Sequence, residues 1–136
     1  MAKLSGSCLC GSVRYSSESE PVVSAICHCK NCQQQSGSAF STIIGVPRPS
    51  LKVEGATGTF NDRAESGKYV IRRFCPKCGS ALISDVEVTP DLLWIKAGTL
   101  DDASAFTPQM HIWRDSAQPW VKFDDGLPSF PRNPPL

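Results

Sequence analysis

The chain has 136 residues and a formal net charge of +1, with acidic and basic residues scattered along its length. This length fits a single domain, predicted to span residues 1–136 with a core at about 5–123. The even distribution of charged residues argues against a nucleic-acid-binding protein. The lack of a long apolar segment argues against a membrane-spanning protein. Residues 1–10 lack the apolar core of a secretory signal, so a cytoplasmic protein is expected.

Short runs of apolar and β-branched residues alternate with turn signals from the N-terminus onward, which is typical of a mainly β domain. Strands are predicted, in chain order, at residues 6–16 with a break at Cys10-Gly11, then at Val22–Ile26, Ala39–Val46, Leu51–Val53, Thr57–Phe60, Tyr69–Phe74, Ala81–Ser84, Leu92–Lys96 and Gln109–Trp113. One helical turn is predicted at Lys30–Ser36 and a polar loop at Asn61–Gly67. The proline-rich end, Asp124–Leu136, is expected to be an ordered or partly loose coil.

Seven cysteines stand at the spacings C-x-C, C-x-C-x-x-C and C-x-x-C. A disulfide-bonded secreted protein is the alternative, but the odd number, the tight spacing and the missing signal argue against it. Thiols separated by one or two residues are typical of metal chelation. The sequence therefore predicts that the cysteines bind metal, with zinc as the ion.

The segment Cys75-Pro-Lys-Cys78-Gly79 can hold one tetrahedral ion from a tight turn. Proline fixes φ early in this turn, and Gly79 can take a positive φ that aims backbone N–H groups at sulfur. Cys8 and Cys10 offer a second pair with a shorter spacing. Cys8, Cys10, Cys75 and Cys78 are thus predicted to close a structural zinc site.

The other three cysteines, Cys27, Cys29 and Cys32, lie within six residues and can contact one ion together. Three protein ligands and one open position are typical of a catalytic zinc. His28 stands between two ligands in an extended segment, so its side chain is expected to point away from the ion. Spacing leaves another division open, in which the last two of these cysteines join residues 75–78 in a zinc ribbon. A redox C-x-x-C is not favoured, because no βαβ pattern surrounds it.

Three thiolates give the second zinc site a formal charge of −1, which makes the ion a weak Lewis acid. A further thiolate is a good fourth ligand for such a soft site. A small molecule that carries a thiol is therefore predicted as the substrate.

Most of the remaining polar and aromatic residues are expected to be structural. His111 is predicted to be a hydrogen-bonded core or surface histidine, and Asp101-Asp102 a turn or a helix cap. The three tryptophans expected in the core are Trp94, Trp113 and Trp120. Basic residues that could meet a substrate carboxylate are Lys30, Arg48, Arg72, Arg73 and Arg114, although most charges are expected to be solvated.

Five segments, taken in this order, resemble the glutathione-dependent formaldehyde-activating enzyme family, which includes centromere protein V. They are Gly6-Ser-Cys-Leu-Cys-Gly-Ser-Val-Arg-Tyr15; Cys27-His-Cys-Lys-Asn-Cys32 with Ser36-Gly-Ser-Ala-Phe40; Phe74-Cys-Pro-Lys-Cys-Gly79; Ala97-Gly-Thr-Leu-Asp101; and His111-Ile-Trp113 through Pro119-Trp120. The resemblance covers roughly residues 5–131.

The resemblance implies a mainly β, tent-like zinc fold of short antiparallel sheets, similar to that of a zinc-containing Rab exchange factor. It also implies two zinc ions per chain. The structural ligands would be Cys8, Cys10, Cys75 and Cys78, and the catalytic ligands Cys27, Cys29 and Cys32. This agrees with the first division of the cysteines and not with the zinc ribbon.

The activity that the resemblance implies is the condensation of formaldehyde with glutathione to S-hydroxymethylglutathione, a carbon–sulfur lyase reaction. The leading hypothesis is thus a zinc-dependent lyase-type enzyme that forms or breaks a thiol adduct, with glutathione or another thiol and an aldehyde as substrates. One alternative is an enzyme for another thiol, imine or aldehyde adduct in a biosynthetic pathway. The other is a non-catalytic zinc module that binds a protein partner.

Overall fold

The short apolar segments form ten strands and one α-helix within residues 2–135, which the computed structural model describes apart from the side chain of Ala105. The strands are β1 (Leu4–Ser7), β2 (Arg14–Ser17), β3 (Val23–Cys27), β4 (Ser41–Pro47), β5 (Leu51–Glu54), β6 (Gly58–Arg63), β7 (Tyr69–Phe74), β8 (Ala81–Val86), β9 (Leu92–Lys96) and β10 (Met110–Ile112), and the helix α1 is Lys30–Ser36. Short 3-10 turns lie at Arg48–Ser50, Ala97–Thr99, Ala103–Ala105 and Arg114–Ser116. The predicted domain also included Met1 and Leu136, which lie outside the described residues.

Seven strands form the larger sheet in the order β10-β3-β4-β9-β8-β7-β6. Neighbours are antiparallel except β10 and β3, which run parallel. A parallel pair needs a long crossover connection, and residues 97–109 supply the last part of it before β10. This pair is a departure from the expected antiparallel sheets.

The smaller sheet, β1-β2-β5, packs against one face of the larger sheet. The core between the sheets contains Val13 and Tyr15 from the smaller sheet's side, and Ile44, Val46 and Ile95 from the larger sheet. Because successive side chains of a strand point to opposite faces, Ile44 and Val46 enter this core. Their neighbour Ile43 belongs to a different cluster on the other face.

That second apolar cluster contains three cysteines. Its buried members are Ala25, Cys27, Cys29, Cys32, Ile43, Ile112 and Trp113, with Trp94, Met110 and Phe130 packed against them. The larger sheet thus has a filled core on one face and a cysteine-bearing cluster on the other.

The proline-rich end of the chain lies along the outer side of β10. The His111 N–H donates to the Pro128 carbonyl, and the Phe130 N–H donates to the His111 carbonyl, both at 2.9 Å. The indole N–H of Trp113 donates to Asn133 at 2.9 Å. These bonds hold residues 128–133 at the edge of the sheet, next to the second cluster.

The predicted mainly β fold is confirmed, while some local predictions are wrong. The polar loop expected from Asn61 begins too early, because β6 continues to Arg63 and pairs with β7. The charged residue Asp62 is stabilised in this strand because Arg72 on β7 forms a salt bridge with its carboxylate. The helix has the predicted bounds, Lys30–Ser36, although its seven residues make more than one turn, and Gly37, whose φ is 67°, is its C-cap. Trp120 is 71% exposed and is not part of the core.

Among the described residues, no helix is long and apolar enough to cross a bilayer.

Candidate metal centres and the adjoining cavity

Cys8, Cys10, Cys75 and Cys78 are brought together at the junction of the two sheets. Their four Sγ atoms lie within 4.8 Å of one another. Cys8 and Cys10 follow β1, whereas Cys75 and Cys78 occupy the turn between β7 and β8. The cluster therefore links the N-terminal turn to a turn about 65 residues away in sequence.

Local hydrogen bonds reach several of these sulfurs and favour the thiolate form of Cys8 and Cys78. The Val13 N–H donates to Cys8 Sγ at 3.3 Å, and the Lys77 and Cys78 N–H groups point at Cys75 Sγ at 3.4 and 3.5 Å. Gly79 has φ 80°, the conformation expected after the second cysteine of the pair. A hydrogen bond with the Ser80 hydroxyl is the main cause that lowers the pKa of Cys78 to about 5. Ionised thiols are the form that binds metal.

Cys27, Cys29 and Cys32 form a second cluster, whose Sγ atoms also lie within 4.8 Å of one another. Cys27 ends β3, Cys29 is the N-cap of α1, and Cys32 is buried in the first turn of the helix. The Cys32 N–H donates to Cys29 Sγ at 3.3 Å, as serine or aspartate would accept at an N-cap. Strand end and helix start thus place three sulfurs at one point, and the two clusters do not mix as a zinc ribbon would require.

Two buried cations stand beside the three-cysteine cluster. Arg72 is 3% exposed; its guanidinium lies 3.8 Å from Cys32 Sγ and 3.0 Å from the Asp62 carboxylate. Lys96 is 7% exposed and donates to the Ser41 hydroxyl at 2.8 Å. Burial lowers the pKa of Lys96, while the thiols of the cluster oppose that shift.

The pKa values of the three thiols in this cluster are shifted in different directions. Hydrogen bonds from Cys27 and Cys29 hold the pKa of Cys32 well below its ordinary value. Hydrogen bonds with Cys29 and Cys32, together with burial, hold the pKa of Cys27 well above its ordinary value. With all groups ionised, the three thiolates and Asp62 outweigh Lys96 and Arg72 by two negative charges. One divalent cation would balance this charge, so the donor set and its surroundings fit a metal such as zinc.

His28 points away from the sulfurs, as expected. Its Nε2 lies 3.0 Å from His111 Nδ1, and His111 Nε2 lies 2.8 Å from the Asp125 carboxylate. The Asp125 carboxylate accepts from His111 Nε2, and His28 and His111 share the hydrogen bond between their rings. Burial is the main cause that lowers the pKa of His28 to about 4, so its ring is neutral at pH 7. The chain of three side chains fixes the segment between Cys27 and Cys29 from behind.

A cavity of about 200 Å³ opens beside the three cysteines. Its floor is the same face of the larger sheet and includes Ile43 and Trp94, and Trp113 lies in its wall. Asn133 and Pro134 from the end of the chain close one side. The exposed residues Ser66 and Lys68 line it as well, so the cavity communicates with solvent.

Comparison with protein families matches residues 3–116 to the family "Glutathione-dependent formaldehyde-activating enzyme". The chain belongs to this family. A relative from Halomonas elongata, described as "Putative glutathione-dependent formaldehyde-activating enzyme", is 28% identical over an alignment of 127 residues that covers 89% of this chain and 81% of the relative. The crystal structure of a Rhodobacter sphaeroides protein has the same fold, with a TM-score of 0.60 at 16% identity, covering 93% of this chain and 98% of that one.

The family match covers all seven cysteines but stops before the last 20 residues, and these contribute Asp125, Asn133 and Pro134 to the surroundings of the site. Sequence patterns gave no signal for these three residues or for Lys96, because their neighbours lie on other segments.

The other residues considered from the sequence lie away from the sulfurs. Asp102 caps a 3-10 turn by accepting from the Ser104 N–H, as expected for a cap. Arg48 binds the Asp85 carboxylate on the far side of the sheet, and Arg114 packs near the Phe123 ring. Of the basic residues considered, Arg72 is the one that contacts the three-cysteine cluster.

Proposed function

We propose that the protein is a zinc-dependent enzyme that forms or breaks a carbon–sulfur bond in a thiol–aldehyde adduct. The observation that carries this proposal is the group of Cys27, Cys29 and Cys32 sulfurs beside an open cavity. Among the described residues, no histidine, carboxylate or fourth cysteine completes that group. Membership of the formaldehyde-activating enzyme family supports a reaction of glutathione with formaldehyde or of a related pair.

Cys27, Cys29 and Cys32 would hold the catalytic zinc, and Cys8, Cys10, Cys75 and Cys78 the structural zinc. When bound at the three cysteines, zinc supplies a position that favours a thiolate over a thiol. The unpaired state of all seven cysteines is in keeping with the reducing cytoplasm that we propose as the location.

In the forward reaction, the sulfur of the thiol attacks the aldehyde carbon and a carbon–sulfur bond forms. The carbonyl π pair moves to oxygen, which takes the proton that the thiol gives up. The reverse reaction breaks the same bond and restores both molecules. Lys96 and Arg72 favour the anionic thiolate through their charge, and the cavity walls hold the reactants close together with little water between them.

The test combines zinc content with thiol binding in wild type and Cys29→Ser. Wild type should hold two zinc ions per chain, and the variant one, with its circular dichroism unchanged and its thiol binding lost. Gln34→Ser, at an exposed position of the same helix, is the matched control and should behave as wild type. One zinc in wild type would contradict the two-site assignment.

The formaldehyde reaction has its own test, because thiols add to formaldehyde without a catalyst. S-hydroxymethylglutathione should form faster with wild type than with Cys29→Ser at equal protein concentration. Equal rates would remove this pair of substrates while leaving the metal assignment intact.

A further inference from the structure

The floor of the cavity is built from alternate residues of neighbouring strands. Val23 on β3, Ile43 on β4, and Leu92 and Trp94 on β9 point to the same face. Gly45 on β4 belongs to this face too: a Cβ there would lie 3.0–3.3 Å from Val23, Leu92 and Trp94. The floor is therefore continuous, closely packed and apolar.

This surface is poorly matched to glutathione, which carries two carboxylates and an ammonium group. Among the described residues that line the cavity, none is an aspartate or a glutamate. Of its cations, Arg72 is paired with Asp62, and Lys96 is buried beside the three cysteines, whose thiolates balance its charge. This leaves Lys68 at the exposed rim. Desolvating charges without partners opposes binding. The volume of about 200 Å³ is close to that of apolar cavities that accept a benzene ring (about 150 Å³) and below the range for drug-sized ligands.

One polar atom in the cavity has no partner within the protein. Ser84 on β8 is 4% exposed, lines the cavity, and its hydroxyl makes no hydrogen bond. Its neighbours across the sheet are Arg72 on β7 and Trp94 on β9. Since the Arg72 guanidinium contacts Cys32 Sγ, Ser84 is one strand away from the residue that touches the cluster. A buried hydroxyl without a partner is costly unless a ligand or water satisfies it.

We propose that the cavity selects a thiol with a compact apolar group, such as an aromatic ring, and an oxygen near its sulfur that hydrogen-bonds to Ser84. The apolar group lies on the floor formed by Ile43, Leu92 and Trp94, and the sulfur faces the three cysteines. The proposal rests on the proposed function, since it names the substrate class for that same site. The wall formed by Asn133 and Pro134 lies outside the family match at residues 3–116, so this selectivity need not be shared across the family.

Calorimetric titration of the zinc-loaded protein with three thiols tests the proposal. The probes are glutathione, 2-phenylethanethiol, and 2-mercapto-1-phenylethanol, which differs from the second by a hydroxyl near the sulfur. Burial of the phenyl ring should make 2-phenylethanethiol bind at least about tenfold more tightly than glutathione. Glutathione binding as tightly as the aromatic thiols, with the binding lost in Cys29→Ser, would overturn the apolar selectivity and leave the proposed function standing. If no thiol binds wild type, the proposed function itself fails.

Val88→Asp places a charge at the cavity wall, in a turn where folding should tolerate it. It should weaken the aromatic thiols at least about tenfold. Pro134→Asp repeats the test on the other wall, should Val88→Asp fail to fold. The matched control is Val22→Asp, which is exposed and outside the cavity and should bind as wild type. Unchanged affinity in the folded wall variants would contradict the proposal.

Ser84→Ala separates the hydrogen bond from the apolar contact. It should weaken 2-mercapto-1-phenylethanol by about three- to tenfold and leave 2-phenylethanethiol within about twofold. An equal loss for both thiols would show that Ser84 acts only through packing, and would overturn its assigned role.

Discussion

Gly6 on β1 lies opposite Tyr15 on β2. A Cβ at Gly6 would lie 2.2 Å from the Tyr15 hydroxyl and 2.3 Å from the Thr99 carbonyl. Tyr15 is buried and its hydroxyl is hydrogen-bonded to Thr99 at 2.7 Å, and the carbonyl belongs to the backbone, so neither can move cheaply.

Gly6→Ala should therefore lower the free energy of unfolding by about 1–3 kcal/mol. Urea denaturation measures this change. Gly98→Ala is the control, because a Cβ there meets nothing within 4 Å, and it should stay within about 0.5 kcal/mol of wild type. Equal stabilities for the two variants would mean that the contact at Tyr15 relaxes freely.

For individual residues, sequence spacing predicted which cysteines could share an ion, because ligands one or two residues apart must be close in space. Their division into two clusters was left open by spacing and implied by the family resemblance, and the structure brings the sulfurs together in that way. Arg72, Lys96 and Ser84 lie on three different strands, so no local pattern could place them at one site.

Among the strands, an ion pair joins the turn after β4 to β8. The Arg48 guanidinium makes two bonds to the Asp85 carboxylate, at 3.0 and 2.5 Å. These bonds are the main cause that lowers the pKa of Asp85 below the ordinary 3.8. The pair therefore stabilises the fold above pH 3.8, and its contribution is lost as the pH falls through the lower pKa of the folded state.

Asp85→Asn should cost about 0.5–1 kcal/mol at pH 7, a modest amount because the Arg48 side chain is 40% exposed. The difference from wild type should shrink as the pH is taken below 3.8. The free energy of unfolding should be measured for both proteins by denaturation at several pH values. The difference between the two proteins removes the effect of metal loss, which is common to both. Glu54→Gln breaks the exposed pair with Lys52 and should show no such trend; a constant difference for Asp85→Asn would count against the pair.

For these elements, alternation of apolar residues predicted strands such as β7 and β9 with the bounds that the structure gives. It failed for Asn61–Arg63, where a polar strand is stabilised by a partner 10 residues away. It also gave no information about the direction of β10, since parallel and antiparallel neighbours look alike in one strand's sequence.

Across the whole molecule, the four-cysteine cluster brings the N-terminal turn next to the turn between β7 and β8 of the larger sheet. A metal held there would bind the folded state more tightly than the unfolded one, and it would stabilise the fold by mass action, by at most about 4 kcal/mol at 1,000 times its Kd.

Treatment with a strong chelator should therefore lower Tm clearly, and Cys75→Ser should abolish cooperative unfolding. Cys29→Ser should lower Tm less than Cys75→Ser and keep cooperative unfolding, because it loses the ion of a cluster that lies within residues 27–32 and does not bridge the two sheets. Differential scanning calorimetry distinguishes these outcomes. A stable Cys75→Ser variant that unfolds cooperatively would contradict a structural role for the four-cysteine cluster.

The alternation along β4 has a consequence for how such a protein can change over time. Ile44 and Val46 maintain the fold, whereas Ile43 and Gly45 shape the floor of the cavity. Neighbouring positions of this strand are therefore under different selection, one for stability of the fold and the other for the shape of the cavity. A library that varies every second position of the central strands would explore new substrates while leaving the core between the sheets and the four-cysteine cluster unchanged.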